Sequence, residues 1–347
     1  MKAVLFTSGD PLQPTGGHIY NQKLCHHLVS MDVSCETIVL PENKNTPRET
    51  TYTIPEKFFK TDLHSPDIIL LDGLVGAFME KEIVDFKKKN PKIKWIYINH
   101  LPLYLNKVKP ELLQKEEEAM RSCDCVVVTG RYAKELLLSY YNNLNSELIT
   151  PGTTAVTPRA TYNDELKTIL MVGSVIERKG YNTVIHALGK FRTLNNWRLV
   201  IAGSIQWEKE YVTYLNRLIK QHLLSEKIEL LGETNEIDIV KEYKSADLFV
   251  SASTEETFGR SAEEAIQFKI PVVLSSIPPY LYRFSKTPVE WFKPNVSNQL
   301  SQIFGKYLLS PKEYISLTKK WKNWEPTPRS WTAVANDWKN LLLKLPW

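Results

Sequence analysis

The sequence contains few cysteines and no long apolar segment. Its four cysteines, in a chain of 347 residues, are Cys25, Cys35, Cys123 and Cys125. No second pair of ligands stands at a spacing typical of zinc sites, so we expect no metal and treat all four as small buried hydrophobic residues. No segment approaches the roughly 18 apolar residues of a membrane-spanning helix, and no signal peptide is predicted. These absences favour a cytoplasmic protein.

A strong charge of either sign is also missing. The formal net charge is +5, which is too diffuse to indicate a nucleic-acid partner. A mild positive excess is compatible with phosphate-bearing substrates, or with peripheral contact at the inner face of a membrane. The length suits two α/β domains, and 43% apolar with 24% charged residues is typical of globular proteins.

Apolar runs of strand length alternate with helix-length segments along most of the chain. In the first half we predict strands at residues 2–7, 35–40, 67–72, 94–99, 125–129 and 146–149, and in the second half at 168–172, 198–203, 228–232, 248–252 and 270–274. Such alternation predicts an α/β fold with parallel, doubly wound sheets. The polar link at residues 158–164 predicts a domain boundary near the middle of the chain.

The stretch at residues 248–274 combines a strand, a polar turn, a helix and a second strand. Glu256 lies in the turn, Phe258 and Gly259 follow it, and Glu264 lies on the helix. In open α/β sheets, ligands sit where a strand's carboxyl end feeds a helix N-terminus, since free N–H groups there attract anions. The carboxylates either complement the helix dipole or accept hydrogen bonds from the hydroxyls of a phosphate-bearing sugar ligand.

Three other strand ends carry candidate site residues. Gly16 and Gly17 open the first helix, and they either form a tight turn or let a ligand approach the backbone. The turn lacks the GxGxxG fingerprint, which argues against a nicotinamide-dependent oxidoreductase. His100 directly follows the strand at residues 94–99. Arg178 and Lys179 precede a helix in the second half; their charges either bind a diphosphate or are simply solvated.

The glutamate pair with its Phe-Gly turn, the Lys179-Gly180 pair and the N-terminal Gly-Gly turn together resemble the signature of the retaining glycosyltransferases of family 4, which have the GT-B fold. By this resemblance Glu256 contacts the donor sugar, Glu264 the ribose, and Lys179 the phosphates. The resemblance implies catalytic roles for Glu256, His100 and Lys179, and substrate binding by Gly16, Gly17, Ser174, Arg178, Glu233, Phe258, Gly259 and Glu264.

The sequence departs from the family pattern in two places. Ser174 stands where the family usually has a phosphate-binding Arg, and Arg178 is the nearest replacement for that charge. After residue 274 a Gly-rich stretch with a further Glu is missing, and an aromatic, basic segment at residues 280–291 follows. We interpret this segment as a loop that docks on the other domain or touches lipid. These departures motivate a second hypothesis, a catalytically silent GT-B protein that acts as the partner subunit of an active glycosyltransferase.

The resemblance implies two Rossmann-like, doubly wound parallel-sheet domains facing a cleft. Residues 1–155 would form the acceptor-side domain, 156–325 the nucleotide-sugar-binding domain, and 326–347 a helix that packs back on the first domain. The implied reaction is retaining, hexosyltransferase-like transfer from a nucleotide-sugar, such as a UDP- or GDP-sugar, to a glycan, lipid or small molecule. No cofactor is implied. The long loop at residues 41–55 is predicted to contribute to acceptor choice.

Overall fold

The computed structural model describes residues 1–10, 15–40, 66–106, 110–159 and 161–345. The predicted acceptor loop at residues 41–55 lies outside the described residues. The chain divides into two compact units. Unit 1 comprises residues 1–154 together with 329–347, and unit 2 comprises residues 155–328.

Unit 1 is built on a parallel sheet that in the described residues has six strands. The strands are β1 (Lys2–Ser8), β2 (Ser34–Leu40), β3 (Ile68–Asp72), β4 (Lys94–Asn99), β5 (Cys125–Val128) and β6 (Ser146–Leu148). The helices are α1 (Gly16–Val29), α2 (Gly73–Gly76), α3 (Glu80–Lys89), α4 (Pro110–Ser122) and α5 (Arg131–Tyr140), with a last helix from the end of the chain (Trp331–Lys344). The strand order is β2-β1-β3-β4-β5-β6. From β1 the chain adds β2 on one side of the sheet and then β3 to β6 on the other side, so the winding of the sheet reverses between β1 and β3.

Both faces of the unit 1 sheet are buried because side chains of the strands alternate between two cores. In β1, for example, Val4 packs with residues of α3, α4 and α5, whereas Leu5 packs with α1 and the C-terminal helix. That C-terminal helix buries Trp338, whose Nε1 donates a hydrogen bond to the Tyr20 hydroxyl at 2.8 Å. Tyr20 in turn donates to the carbonyl of Ile149 at 3.0 Å. The last helix is therefore an integral layer of unit 1.

Unit 2 contains a second parallel sheet, with six strands among its described residues. The strands are β7 (Thr168–Val172), β8 (Arg198–Ala202), β9 (Ile228–Gly232), β10 (Leu248–Ser251), β11 (Val272–Ser275) and β12 (Glu290–Phe292). The helices are α6 (Tyr181–Leu188), α7 (Lys209–Gln221), α8 (Glu236–Ser245), α9 (Arg260–Gln267), α10 (Pro278–Phe284), α11 (Ser297–Leu308) and α12 (Pro311–Asn323); α13 is the helix Trp331–Lys344 of unit 1. The order β12-β11-β10-β7-β8-β9 puts the reversal between β7 and β10.

Most of the segment at residues 280–291, which we interpreted as a loop, belongs to regular elements of unit 2. Its first part belongs to α10, where Tyr280 and Phe284 are buried in the core of unit 2. Its last part belongs to β12, which pairs in parallel with β11 and thereby extends the sheet. This burial explains Tyr280 and Phe284. The prolines Pro278 and Pro279 stand in the first turn of a helix, where a missing N–H costs nothing.

The cysteines also differ in part from the prediction. Cys123 and Cys125 are buried free thiols, as expected for small hydrophobic residues. Cys25 on α1 and Cys35 on β2, by contrast, form a disulfide. The two elements are neighbours in space, and the Cα atoms of the pair lie 5.3 Å apart, which periodicity alone does not reveal. Among the described helices, none combines the length and apolarity needed to cross a bilayer.

Candidate functional site

The reversal between β7 and β10 brings two loops of unit 2 together. Neighbouring parallel strands end at the same edge of a sheet, and the loops that leave them in opposite directions open a crevice in which α/β proteins bind ligands. The loop after β7 carries Ser174, Arg178 and Lys179, and the loop after β10 carries Glu256. Thr254 N–H donates to the carbonyl of Arg178 at 2.8 Å, so the two loops are joined by their backbones.

Gly180 is the residue that permits this close approach. Its φ is +67°, and a Cβ at this position would lie 2.2 Å from the carbonyl oxygen of Ala252. Any other residue would push the two loops apart, as well as strain the backbone. Gly180 is the C-cap of the short turn Glu177–Lys179 and the N-cap of α6. Its position against β10 keeps the neighbouring Lys179 beside the end of that strand.

Glu256 is the centre of the polar contacts in this crevice. Lys179 Nζ donates a short hydrogen bond to Glu256 Oε1 and forms an ion pair with it. Ser253 Oγ donates to the same oxygen at 3.0 Å, and the Tyr280 hydroxyl lies 3.4 Å from it. Arg178 Nη1 lies 4.0 Å from Glu256 Oε2. The carboxylate is 8% exposed, so its charge is balanced by these neighbours rather than by water.

The charges of this pair follow from burial and proximity. Burial opposes ionisation of Glu256, but the nearby Lys179 and Arg178 outweigh it and lower the pKa of the carboxyl group. Burial also lowers the pKa of the Lys179 ammonium, and Arg178 adds to that effect, whereas Glu256 works against it. Glu256 is therefore a carboxylate at neutral pH, held between two cationic groups.

Glu264 lies on α9, one element further along. Its Oε2 accepts a hydrogen bond from the Tyr243 hydroxyl at 2.9 Å, and its Oε1 accepts one from Arg260 Nη2 at 2.6 Å. Its side chain remains 26% exposed. Glu264 is thus oriented by protein groups but still reachable by a hydroxyl of a ligand.

The N-terminus of α9 is free of a side-chain cap. Its N-cap residue is Gly259, with φ at +78°, and no side-chain cap of the first turn is found in the part of the chain that the structure describes. A helix end of this kind can bind an anion through its backbone N–H groups. Helix α10 stabilises this turn through Arg283. Its Nη1 donates to the carbonyl of Phe258 at 2.5 Å, and its guanidinium stacks on the Phe258 ring.

Ser174 and Glu233 take less central places. Ser174 follows β7 and is partly exposed, and its hydroxyl makes no hydrogen bond within the described residues. It supplies no charge, so Arg178 and Lys179 are the cations of this loop. Glu233 is exposed after β9, next to Gly232 with φ at +73°.

The remaining predicted residues meet in unit 1. Gly17, in the first turn of α1, lies against the ring of His100, because a Cβ on Gly17 would stand 3.1 Å from His100 Cδ2. Gly16 is exposed, with open space around its missing side chain. His100 Nε2 lies 2.9 Å from Asn21 Oδ1. The structure therefore brings Gly17 and His100 together.

Burial lowers the pKa of the His100 imidazole, the nearby His18 adds to this effect, and Asp72 opposes it. His100 is accordingly neutral at pH 7. A neutral imidazole offers one N–H donor and one nitrogen acceptor, a suitable pair for a hydroxyl ligand. No group of three His, Cys, Asp or Glu side chains suited to a metal ion occurs among the described residues.

Several side chains that organise the site were not singled out from the sequence. Ser253 and Tyr280 hold Glu256, Tyr243 holds Glu264, and Asn21 meets His100. Only Ser253 carried a usable indication, since it follows β10 three residues before Glu256 in the same turn. The others come from elements distant in sequence, and their contacts depend on the tertiary fold.

Comparison with known proteins agrees with the motifs. Residues 157–324 match the family described as "Glycosyl transferases group 1". An uncharacterized glycosyltransferase of Methanocaldococcus jannaschii is 40% identical over 114 residues, which are 33% of this chain and 28% of that protein. The mannosylfructose-phosphate synthase of Agrobacterium fabrum is 29% identical over 184 residues, which are 48% of this chain and 40% of that protein. The matched regions thus span less than half the length of these two relatives.

The fold has close counterparts among solved structures. Anabaena HepE in complex with UDP and glucose superposes with a TM-score of 0.79 at 14% identity, covering 99% of this chain and 100% of that one. This confirms the predicted α/β, GT-B fold class. The family match covers nearly all of unit 2, which holds the Lys179–Glu256 pair and Glu264. Unit 2 is thus the part of the chain that is similar to the group 1 family of glycosyl transferases.

Proposed function

We propose that the protein is a retaining glycosyltransferase that moves a sugar from a nucleotide-sugar donor to a hydroxyl acceptor. The observation that carries the proposal is the pairing of Lys179 and Arg178 with Glu256 at the reversal point of the unit 2 sheet. Two cations and a buried carboxylate suit a ligand that is both anionic and rich in hydroxyls. Nucleotide-sugars have both properties, since a diphosphate is joined to a sugar and to a ribose.

Each part of the donor has a matching group. The diphosphate is bound by Lys179, Arg178 and the uncapped N-terminus of α9. An ammonium group has three donors, so Lys179 can keep its bond to Glu256 while it contacts a phosphate oxygen. Glu256 accepts a hydrogen bond from the transferred sugar and Glu264 one from the ribose. The exposed loop at Gly232 and Glu233 lies past β9, where it would contact the base mostly through its backbone.

The relatives support this choice of ligand. The match to a mannosylfructose-phosphate synthase is a match to a protein named for joining sugars. The structural counterpart HepE was solved with UDP and glucose. A UDP- or GDP-hexose is therefore the donor class that we propose. The acceptor is a sugar, a lipid or another small molecule with a hydroxyl group.

The reaction breaks the bond between the anomeric carbon and the diphosphate oxygen and forms a bond from that carbon to the acceptor oxygen. The diphosphate leaves with the electron pair, and no acid is needed because its charge is already neutralised by cations. We propose that a leaving phosphate oxygen takes the acceptor's proton on the same face of the sugar, which retains the anomeric configuration. The protein contributes orientation and charge, and no metal or other cofactor has a part.

Binding of UDP and GDP, measured by isothermal titration calorimetry, tests the proposal. We expect one nucleotide to bind the wild type, and Lys179→Met to weaken binding about 10- to 100-fold, since a charge-assisted hydrogen bond contributes about 1.5–3 kcal/mol. Lys312→Met, on the exposed surface of α12, is the matched control and should bind like the wild type. A screen of the corresponding nucleotide-sugars with sugar acceptors then identifies the transferred group.

The same calorimetry also tests the alternative hypothesis that the protein is a silent partner subunit, which the relatives do not favour. A silent partner would bind neither nucleotide, and equal binding by the Lys179→Met variant would remove Lys179 from the site. Retention is tested separately by the anomeric configuration of the product, observed by NMR. A product of inverted configuration would contradict the proposed mechanism while leaving donor binding intact.

A further inference from the structure

His100 is the end of a chain of polar side chains that crosses the interior of unit 1. Asn21 on α1 stands between His100 and Asp72, the last residue of β3. Asn21 Nδ2 donates to Asp72 Oδ2 at 2.6 Å, and Asn21 Oδ1 lies 2.9 Å from His100 Nε2. Thr7 Oγ1 donates to the same Asp72 oxygen at 3.1 Å. Asn21 and Asp72 are 3% and 1% exposed, so water does not compete for these contacts.

The buried carboxylate determines which way the Asn21 amide faces. A carboxylate accepts hydrogen bonds and cannot donate them, so the amide NH₂ must point towards Asp72. The reverse orientation would put two oxygens 2.6 Å apart in a buried site. The amide oxygen is consequently the group that faces His100.

The orientation of the amide in turn determines where His100 carries its proton. An amide oxygen only accepts, so the His100 nitrogen that meets it, Nε2, is the one that carries hydrogen. In the neutral imidazole, Nδ1 is then an acceptor. His100 Nδ1 makes no hydrogen bond within the described residues. It is nevertheless not among the fully buried atoms that lack a partner, as His18 Nδ1 is, and His100 itself is only partly buried. The acceptor nitrogen of His100 is therefore accessible.

We propose that Asn21 and Asp72 are positioning residues that hold His100 as the Nε2–H tautomer, with Nδ1 presented as the acceptor for a hydroxyl group of the sugar substrate. This inference deepens the proposed function and rests on it for the identity of the ligand. Asp72 orients Asn21, Asn21 orients His100, and His100 alone contacts the substrate. Gly17 supports the arrangement because its missing side chain leaves room for the His100 ring.

Long-range ¹⁵N–¹H NMR of the histidine side chains tests the tautomer without any substrate. In the wild type, at a pH where His100 is neutral, we expect a protonated Nε2 and an unprotonated Nδ1 as one unaveraged pair of signals. In Asn21→Leu, which keeps the side-chain size but removes the acceptor, the two nitrogen signals should move towards each other as both tautomers exchange. A wild-type His100 protonated at Nδ1, or unchanged signals in the variant, would overturn the proposal.

A second variant covers the case in which Asn21→Leu does not fold. Asp72→Asn keeps the shape of the side chain but lets the Asn21 amide turn round, so it should shift the His100 signals in the same direction. Asn90→Ala is the control and should leave His100 unchanged, since among the described residues the Asn90 amide bonds to the carbonyl of Phe86 at the end of α3 and to no other group. Unchanged His100 signals in Asp72→Asn would show that Asp72 does not determine the tautomer of His100.

Kinetics connect the tautomer to the substrate. Loss of the ordered acceptor should lower kcat/KM for transfer on the order of 10- to 100-fold in Asn21→Leu, with UDP or GDP binding in unit 2 unchanged. Unaltered kcat/KM in a variant with altered His100 signals would refute the substrate role but keep the tautomer assignment. Absence of any transfer by the wild type, with the expected NMR signals present, would instead contradict the proposed function.

Discussion

Glu256 has its charge balanced from within the protein, by Lys179 on one side and Arg178 on the other. Breaking a buried pair from one side is costly, since it leaves the remaining charge without a partner. Loss of activity in a single variant can therefore come from lost chemistry or from lost stability. A pair of substitutions separates these causes, because replacing both partners removes the uncompensated charge.

We expect Glu256→Gln to lower transfer at least about 100-fold and to lower the free energy of unfolding by about 3 kcal/mol, since Lys179 is left buried without its counter-charge. The double variant Lys179→Met with Glu256→Gln should recover part of the stability and none of the activity. Urea unfolding and a transfer assay on all three variants check both statements. Recovery of transfer together with stability would show that Glu256 has only a structural role.

Glu116 on α4 is another buried carboxyl group, and it holds the turn that follows His100. Both of its oxygens accept from the Leu103 N–H at 3.2 Å, and Asn99 Nδ2 lies 3.4 Å from one of them. Burial raises the pKa of Glu116 from 4.5 to about 7, against the effect of these hydrogen bonds. The folded protein thus keeps a proton that the unfolded chain loses.

This difference predicts how stability changes with pH. Between about pH 4.5 and 7 the unfolded chain has released the proton and the folded chain has not, so the free energy of unfolding falls as pH rises. The loss approaches about 3 kcal/mol above pH 7, because folding raises the pKa of Glu116 from 4.5 to about 7. Glu116→Gln should lose this dependence. Urea unfolding at pH 5 and pH 8 measures it, and Glu118→Gln, at an exposed position of the same helix, should behave like the wild type.

Among the elements, the turn between β10 and α9 depends on a glycine for two separate reasons. Gly259 has a positive φ, and a Cβ there would lie 2.2 Å from Tyr280 Cε1 on α10. Gly232 at the end of β9 has nearly the same φ but open space around it. The two positions therefore separate the cost of the backbone conformation from the cost of the clash.

We expect Gly232→Ala to destabilise the protein by about 1 kcal/mol, which is the cost of a left-handed conformation for an L-residue. Gly259→Ala should cost about 1–3 kcal/mol more, because α10 has to move. It should also reduce transfer, since Tyr280 lies against Glu256 and α9 presents its N-terminus at this turn. Urea unfolding and assays of both variants provide the comparison. Equal losses would mean that the clash with Tyr280 is relieved without cost.

Local pattern predicted most of the elements because each βαβ unit has its own periodicity. The segment at residues 248–274 showed its strands, its turn and its helix directly, and the positions of Glu256 and Glu264 followed. The helix α10 was missed because it is short, begins with two prolines and is apolar on a face that only the tertiary fold defines. The Asn21–His100 contact was missed because it joins residues 79 positions apart.

At the scale of the whole molecule, the last helix belongs to the unit that the first strand begins. Trp338 on α13 is fully buried and bonded to Tyr20. We expect Trp338→Ala to destabilise unit 1 by about 3–5 kcal/mol. Hydrogen exchange of the β1 and β4 amides should accelerate, whereas the amides of β7 and β10 should be much less affected. Lys339→Ala, on the exposed side of the same helix, is the control. Uniform acceleration in both sheets would show that the chain opens as one unit.

Unit 1 consists of two segments of the chain, residues 1–154 and 329–347. The end of the first segment lies beside the start of the second, since Thr153 N–H donates to the carbonyl of Arg329 at 2.8 Å. Residues 155–328 are therefore a continuous insert whose ends are adjacent. During synthesis on the ribosome this insert is complete before the helix that unit 1 still lacks has been made. Unit 1, which is begun first, therefore keeps one face of its sheet uncovered until this last helix has been made, which departs from the usual N-terminal-first order of co-translational folding.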